Sequence, residues 1–156
     1  MQLWRIATDA AAYGADDLTG AGAALGGGRW NKIGTPALYT SLSIALACIE
    51  TFVHLKAGGL PLNRYLVRID LPDAVWARRT VLAPPVGWDA IPVSLTSVNA
   101  GEAWFSAGSA ALLEVPSVVV PEEKNVVVNP RHADSAALTA TKIRKWTYDA
   151  MGPRGP

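Results

Sequence analysis

Cysteine and histidine are scarce in this 156-residue chain: Cys48 is the only cysteine, and the two histidines are His54 and His132. A single thiol excludes an intrachain disulfide and agrees with a reducing compartment. No Cys, His and Asp residues cluster at the spacing of a zinc site, so no metal is expected. Cys48 lies in an apolar helical run without a neighbour that would lower the pKa of its thiol, so we interpret it as a buried hydrophobe.

The chain also lacks an excess of charge and long apolar runs. Its 14 Lys+Arg and 13 Asp+Glu give a net charge of +1, so no bulk field favours nucleic acid or an anionic membrane as a partner. No apolar run approaches the ~18 residues of a membrane span, and the first five residues lack the character of a signal peptide. We therefore predict a cytoplasmic protein that forms one domain over residues 1–156, with its core at about 3–150.

Several common nucleotide-binding and hydrolase motifs are absent. Residues 20–26 resemble the glycine fingerprint of dinucleotide-binding folds, but they have one residue too many before the last glycine. The preceding residues 15–18 do not form a buried strand, which that motif requires. The sequence contains neither a Walker phosphate loop nor a Gly-x-Ser-x-Gly elbow, which argues against the corresponding enzyme classes.

Short strands separated by Pro- and Gly-rich connections dominate the chain. Residues 65–70 alternate apolar and polar side chains in the manner of a half-buried strand. Ser41 or Ser43 is a candidate N-cap for a helix that continues through Leu55. The other predicted elements are strands over residues 3–6, 37–39, 112–115, 117–120, 125–128 and 142–148, a helix over 99–111 broken near Gly108, and a glycine-rich loop over 21–28.

The helix predicted after Ser43 carries the carboxylate of Glu50, and the helical periodicity does not determine its role. At about 100° per residue, one broad face collects the apolar residues, and Glu50 lies on the other side. A solvated surface carboxylate is the common outcome for such a residue. The apolar face is predicted to consist of Ile44, Ala45, Cys48, Ile49, Phe52 and Leu55.

Arg29, Tyr39 and Glu50 place a cation, an aromatic ring and a carboxylate within 22 residues. Such a set can hold a phosphate, stack on a flat ring and stabilise positive charge on a sugar, which are the requirements of a nucleotide-cleaving site. Further along the chain, Ser117 is a polar residue at the start of an apolar strand. Its hydroxyl could simply bond nearby backbone, and a neutral serine cannot act alone as a nucleophile.

These residues and their neighbours resemble the RES domain family, which is named for an Arg, a Glu and a Ser. In this chain those residues are Arg29, Glu50 and Ser117, and the resemblance covers about residues 3–132 and, more loosely, the residues beyond. The matching segments are Trp4-Arg5-Ile6, Gly28-Arg29-Trp30-Asn31, Gly34-Thr35-Pro36-Ala37-Leu38-Tyr39-Thr40-Ser41, Gly101-Glu102-Ala103-Trp104, Val115-Pro116-Ser117 and Asn129-Pro130.

The resemblance implies an α+β fold with an ADP-ribosyltransferase-like core: short, mostly antiparallel strands in two packed sheets with flanking helices. It implies the toxin of a type II toxin–antitoxin system, which an Xre-like helix-turn-helix antitoxin neutralises. Members consume NAD, either by cleaving the nicotinamide–ribose bond through hydrolysis or phosphorolysis, or by transferring ADP-ribose to a protein. NAD is then a substrate and no cofactor is expected. A homodimer is left open.

Roles follow for five residues under this resemblance. Glu50 would stabilise the cationic sugar, Arg29 would bind the diphosphate or an adjacent ribose, and Ser117 would orient Glu50 or the substrate. Tyr39 would stack on nicotinamide. Arg5 would be a second phosphate contact, although an ordinary arginine beside a strand is an equally good interpretation.

The acceptor of ADP-ribose is not fixed by these residues. Cys48 stands two positions before Glu50, whereas many protein-modifying ADP-ribosyltransferases carry a second glutamate there. That difference favours NAD degradation, with a mono-ADP-ribosyltransferase as the alternative. A nucleotide-binding module without catalysis is the third hypothesis.

Overall fold

The computed structural model describes residues 1–53 and 63–148. Strands alternate with short helices throughout this part of the chain, so the predicted α+β class is confirmed. The elements in chain order are β1 (Gln2–Thr8), α1 (Ala21–Gly26), β2 (Leu38–Ser41), α2 (Ile44–Phe52), β3 (Arg64–Asp70), α3 (Asp73–Ala77), β4 (Thr80–Val81), α4 (Leu95–Ala107), β5 (Leu112–Pro116), β6 (Lys124–Val128), a 3₁₀ helix (Ala133–Ala137) and β7 (Thr139–Trp146).

The strands form one hydrogen-bonded sheet in the order β4-β5-β6-β2-β1-β3-β7. Every neighbouring pair is antiparallel except β4 and β5, as expected for a mostly antiparallel core. The expectation of two packed sheets is not confirmed. The pairing of β1 with β2 is short, because the two strands share only the pair Trp4 and Ser41. In contrast, β1 pairs with β3 along its whole length.

The apolar core lies mainly around the middle strands. Val126, Val127 and Val128 of β6 and Leu112 and Leu113 of β5 are fully buried, which explains why both strands read as continuous apolar runs. One large cluster joins these strands to β1 and β3. A second surrounds Trp30 and Trp104, and a third lies between β1, β3 and helix α2.

Several predicted boundaries agree with the structure within a few residues. Helix α2 begins after Ser43, whose side chain accepts a hydrogen bond from the Leu46 amide. Its predicted end, Leu55, lies outside the described residues. Helix α4 starts four residues earlier than predicted and ends at Gly108, which has φ of 56° in the left-handed region, where glycine is favoured.

Three predictions about local structure are wrong. Residues 21–26 form the short helix α1 rather than a glycine-rich loop. The strand predicted over residues 117–120 is absent, because the Ser117 hydroxyl accepts hydrogen bonds from the amides of Val119 and Val120 and turns the backbone out of the sheet. Helix α3 and strand β4 were not predicted, since each is too short to show a clear periodicity.

The predicted apolar face of α2 is wrong for three of its residues, while Cys48 is buried as predicted and Ile44 packs against the core. The helix buries Leu46, Ala47 and Cys48, while Ala45, Ile49 and Phe52 of the predicted face are exposed. Seven of the nine residues in α2 are apolar, so the sequence pattern could not fix which side packs against the sheet. Within the described part of the chain, no helix is long and apolar enough to cross a membrane.

Candidate active site

A cavity of about 600 Å³ opens where β1 and β2 part, beside helix α2. Beyond Trp4, the edge of β1 that faces β2 has no strand partner in the described part of the chain, and residues 5–8 line this space. Four of the five predicted site residues line the cavity: Arg5, Arg29, Tyr39 and Glu50. The fifth, Ser117, lies directly behind Glu50.

The Glu50 carboxylate is held on one oxygen by two neutral donors. The Ser117 hydroxyl donates to Oε1 at 2.6 Å, and the Asn125 side-chain amide donates to the same oxygen. Among the described residues, no donor contacts Oε2. On a helical wheel of about 100° per residue, Glu50 falls between the buried residues Leu46 and Ala47, so it faces the cavity rather than bulk solvent. The structure therefore presents a fixed carboxylate with one oxygen available to a ligand.

The Ser117 side chain is fully buried and uses its whole hydrogen-bonding capacity. Its oxygen accepts from the Val119 and Val120 amides at 3.1 and 2.9 Å, while its proton is directed to Glu50. A hydroxyl in this state cannot attack a substrate. The hydroxyl therefore makes both contacts considered from the sequence, one to the local backbone and one to Glu50.

Asn125 is a site residue that the sequence analysis missed. It pairs with Ser41 across β2 and β6, and the Ser41 hydroxyl donates to its Oδ1 at 2.7 Å. That bond fixes the orientation of the amide, so its Nδ2 donates to Glu50. A polar residue next to three valines was the available signal, since a buried amide in a strand needs specific partners.

Arg29 is fixed by backbone carbonyls rather than by a carboxylate. Its Nη1 donates to the carbonyl oxygens of Trp88 at 2.7 Å and Ala90 at 3.2 Å. The ring of the neighbouring Trp30 stacks on Trp88 with centroids 6.0 Å apart. These contacts hold the turn of residues 28–31, which the bridge between Gly28 and Asn31 closes, against the loop that precedes α4. The Arg29 guanidinium keeps its charge uncompensated by any acidic partner within the described residues.

The Tyr39 hydroxyl is tied to the same turn. It donates to Asn31 Oδ1 at 2.7 Å and accepts from the Trp30 amide at 3.0 Å. Burial raises the pKa of Tyr39 well above its usual range, so the phenol stays protonated at any ordinary pH. Gly28 leaves room for this contact, because a Cβ there would lie 2.5 Å from the Tyr39 oxygen.

Helix α4 supports this turn from behind, which explains the Gly-Glu-Ala-Trp segment of the sequence. A Cβ on Gly101 would lie 1.9 Å from the Trp30 carbonyl oxygen, so only glycine allows the two backbones to approach. Glu102 accepts hydrogen bonds from the Lys32 amide at 2.8 Å and the Thr35 hydroxyl at 3.1 Å. Trp104 packs in the cluster around Trp30.

Arg5 lies at another part of the cavity wall. Its Nη1 donates a long hydrogen bond of 3.4 Å to the Asp17 carbonyl oxygen. Burial lowers the pKa of Arg5, and the Asp17 charge opposes that shift. The geometry thus places Arg5, Arg29, Tyr39 and Glu50 around one space without direct hydrogen bonds between them. Among the five predicted site residues, only Glu50 and Ser117 are hydrogen-bonded to each other.

Two other chemistries find no support in the site. Burial raises the pKa of the Cys48 thiol, which disfavours the reactive thiolate. Residues 1–53 and 63–148 contain no group of three or more His, Cys, Asp or Glu side chains that could hold a metal ion.

Comparison with known proteins gives a consistent result. The family described as RES domain matches residues 2–150. A protein of Sphingobium sp. (strain YBL2), named "Prs ADP-ribosylating toxin", is 56% identical over 149 residues, which cover 94% of this chain and 92% of the relative. Two proteins named "Toxin Res" are 36% identical over 153 residues in Yersinia enterocolitica (96% of this chain, 97% of the relative) and 37% over 154 residues in Pseudomonas putida (96% and 98%). All of the cavity residues lie within the matched region.

Proposed function

This chain belongs to the RES domain family, and we propose that it is a toxin that cleaves the nicotinamide–ribose bond of NAD and transfers ADP-ribose to a protein. The observation that carries the proposal is the Glu50 carboxylate, which Ser117 and Asn125 hold by Oε1 at the wall of a cavity. A cavity of about 600 Å³ is within the size range of small-molecule and cofactor sites.

Cleavage of this bond needs a negative charge at a fixed position. The electron pair of the C1′–N bond leaves with the nicotinamide nitrogen, so the ring departs neutral and positive charge develops on the ribose, as in glycoside hydrolysis. Glu50 would stabilise that charge with its available oxygen and would hydrogen-bond a ribose hydroxyl. The acceptor then bonds to C1′ and loses its proton. No metal is required in this sequence of steps.

The remaining residues would bind and orient NAD. Arg29 keeps donors beyond the Nη1 that contacts the backbone, and its planar fork suits bidentate contacts to phosphate or ribose oxygens. Tyr39 would offer its ring to nicotinamide, since its hydroxyl is fixed at the far end. Ser117 and Asn125 would act through Glu50 as positioning residues.

The relatives change the preferred acceptor. A residue other than glutamate at position 48 favours water or phosphate, but the protein named as ADP-ribosylating shares 56% identity over almost the whole chain. We therefore place transfer to a protein first, with the Prs of that relative's name as the first acceptor to test. NAD degradation by hydrolysis or phosphorolysis is the second candidate, since the relatives named "Toxin Res" specify no acceptor.

A toxin that consumes NAD would harm its own host unless it is restrained. We propose that an Xre-like helix-turn-helix antitoxin binds this chain and that both act in the cytoplasm. A neighbouring reading frame of helix-turn-helix character would support this partner, and co-purification of the two chains tests it.

Labelled NAD separates the candidate functions. The purified protein is incubated with adenylate-labelled NAD, with and without cell lysate or Prs, and nicotinamide and labelled protein are both measured. Transfer predicts a discrete labelled band that the Glu50→Gln variant does not produce. If nicotinamide is released at the same rate without an added acceptor protein, and no labelled band forms, NAD degradation becomes the preferred function. Binding of NAD without nicotinamide release would support the third hypothesis, a nucleotide-binding module without catalysis.

A further inference from the structure

The cavity wall carries more cations than the proposed roles use. Among the described residues, three arginines line it, Arg5, Arg29 and Arg64, against the two acidic residues Asp17 and Glu50. Neither carboxylate forms an ion pair with these arginines. Glu50 accepts from neutral donors, and Asp17 accepts from the Thr19 hydroxyl while Arg5 contacts its carbonyl.

Arg64 is the least satisfied of the three. It begins β3, opposite Thr8 of β1 and Trp146 of β7. Its Nε is buried and has no hydrogen-bond partner in the described part of the chain. Buried donors normally have partners, and a buried N–H without one destabilises a fold unless a ligand supplies the acceptor. Other arginines of the chain do find carboxylates, since Arg68 pairs with Asp70 at 2.8 Å and Arg79 pairs with Glu114 at 2.6 Å.

The position of Arg64 follows from the open edge of β1. Because β2 pairs with β1 only at Trp4, side chains from both faces of β1 reach the same cavity, and Arg64 of β3, which lies opposite Thr8, reaches it too. Arg5 and Arg64 lie close enough for their charges to interact: burial lowers the pKa of Arg5, the Asp17 charge opposes that shift, and the Arg64 charge adds a smaller decrease. Two guanidinium groups that line one cavity, and that form no ion pair with Asp17 or Glu50, attract an anionic ligand.

We propose that Arg64, together with Arg5, binds the diphosphate of NAD in this cavity. This inference rests on the proposed function for the identity of the ligand. A diphosphate offers four non-bridging oxygens and two negative charges, which matches two forked cations. Arg29, fixed near Tyr39, is then available for the adjacent ribose.

The same chemistry could come from free phosphate, so the experiment uses three probes. ADP, inorganic phosphate and adenosine are titrated separately into the full chain by calorimetry. Replacement of a charge-assisted hydrogen bond typically weakens binding by roughly 10–100-fold. We expect Arg64→Gln to weaken ADP binding by about that factor and to leave adenosine binding unchanged. Phosphate binding that depends on Arg64 while ADP binding does not would overturn the diphosphate assignment.

Arg68→Gln is the matched control, because Arg68 lies on the same strand but pairs with Asp70 and does not line the cavity. It should leave ADP affinity unchanged. Thermal unfolding gives a second measurement, because a structural role of Arg64 would change it: Arg64→Gln should not lower Tm, since the Arg64 Nε has no hydrogen-bond partner among the described residues. If that variant does not fold, Arg64→Lys retains the charge without the fork and should weaken ADP binding by a smaller factor.

The outcomes also separate this inference from the proposed function. Nicotinamide release by the unsubstituted chain is measured in parallel. If the chain cleaves NAD but Arg64→Gln binds ADP normally, the diphosphate subsite is wrong and the function stands. If Arg64-dependent ADP binding is observed without NAD cleavage, the subsite stands and the proposed catalysis is wrong. An equal loss of ADP and adenosine binding together with a lower Tm would assign Arg64 to structure alone.

Discussion

The replacement Glu50→Gln tests the central claim with the smallest change of shape. The amide oxygen of glutamine can still accept from Ser117 and Asn125, while its NH₂ group replaces the carboxylate oxygen that has no donor among the described residues. The substitution therefore removes the negative charge and presents a donor to the ribose. The local hydrogen bonds of the site are kept, so a loss of activity reports on charge.

The size of the effect follows from the charge that Glu50 is proposed to stabilise. Two unit charges about 4 Å apart interact by about 4 kcal/mol at an effective dielectric constant near 20. Since about 1.4 kcal/mol corresponds to one decade in rate, the expected loss is two to three decades. Removal of one preorganised electrostatic contact in other enzymes has an effect of similar size.

The assay is direct measurement of nicotinamide release under saturating NAD. The turnover of Glu50→Gln should fall ~100–1,000-fold, while KM changes little because the charge acts mainly in the transition state. Glu122→Gln is the matched control, since Glu122 is exposed and does not line the cavity. Tm should stay the same or rise, because an ionised group is removed from the half-buried side of α2. Turnover within tenfold of the unsubstituted protein would refute the role of Glu50.

Three further substitutions test the surroundings of the site. Ser117→Ala should lower nicotinamide release ~10–100-fold and Tm by several degrees, because the Glu50 carboxylate and two backbone amides all lose a partner. Asn125→Asp should lower turnover at least ~10-fold, since a donor to Glu50 becomes a like charge, and Asn125→Ala measured beside it separates repulsion from loss of the bond. Gly101→Ala should lower the free energy of unfolding by about 2–3 kcal/mol in a urea titration, because its Cβ would overlap the Trp30 carbonyl; an unchanged midpoint would show that α4 can shift freely.

The long strands could be predicted from the sequence because their patterns are strong. Residues 65–70 alternate clearly, and 125–128 combine β-branched residues with a following Asn-Pro. Both predictions lie within one residue of β3 and β6. Helix α3 and strand β4 have five and two residues, so neither offers a period to detect. Strand β4 exists through its parallel pairing with β5, which is a tertiary contact.

The sequence indicated which residue types form the site but not how they are held. Arg29, Glu50 and Ser117 were identified through a family resemblance, and the contact between Glu50 and Ser117 spans 67 positions. Asn125 was missed because its role needs the pairing of β6 with β2, which places it opposite Ser41. Arg64 was missed because an arginine at a strand end is ordinary, and its buried and unpartnered Nε is visible only in three dimensions.

Helix α2 explains why Glu50 could not be placed by periodicity. Apart from Glu50 and Thr51, the helix is apolar on all sides, so the sequence favoured an apolar arc that contains Ile49 and Phe52. In the structure, those two residues are 38% and 46% exposed. The opposite arc packs on the sheet and brings Glu50 to the cavity. A carboxylate on the packed side of an apolar helix is unfavourable unless it is hydrogen-bonded, and Ser117 and Asn125 supply those bonds. An apolar residue at position 50 would in turn leave the Ser117 hydroxyl and the Asn125 amide without their acceptor, so the position of Glu50 depends on partners from the sheet that the pattern of α2 does not contain.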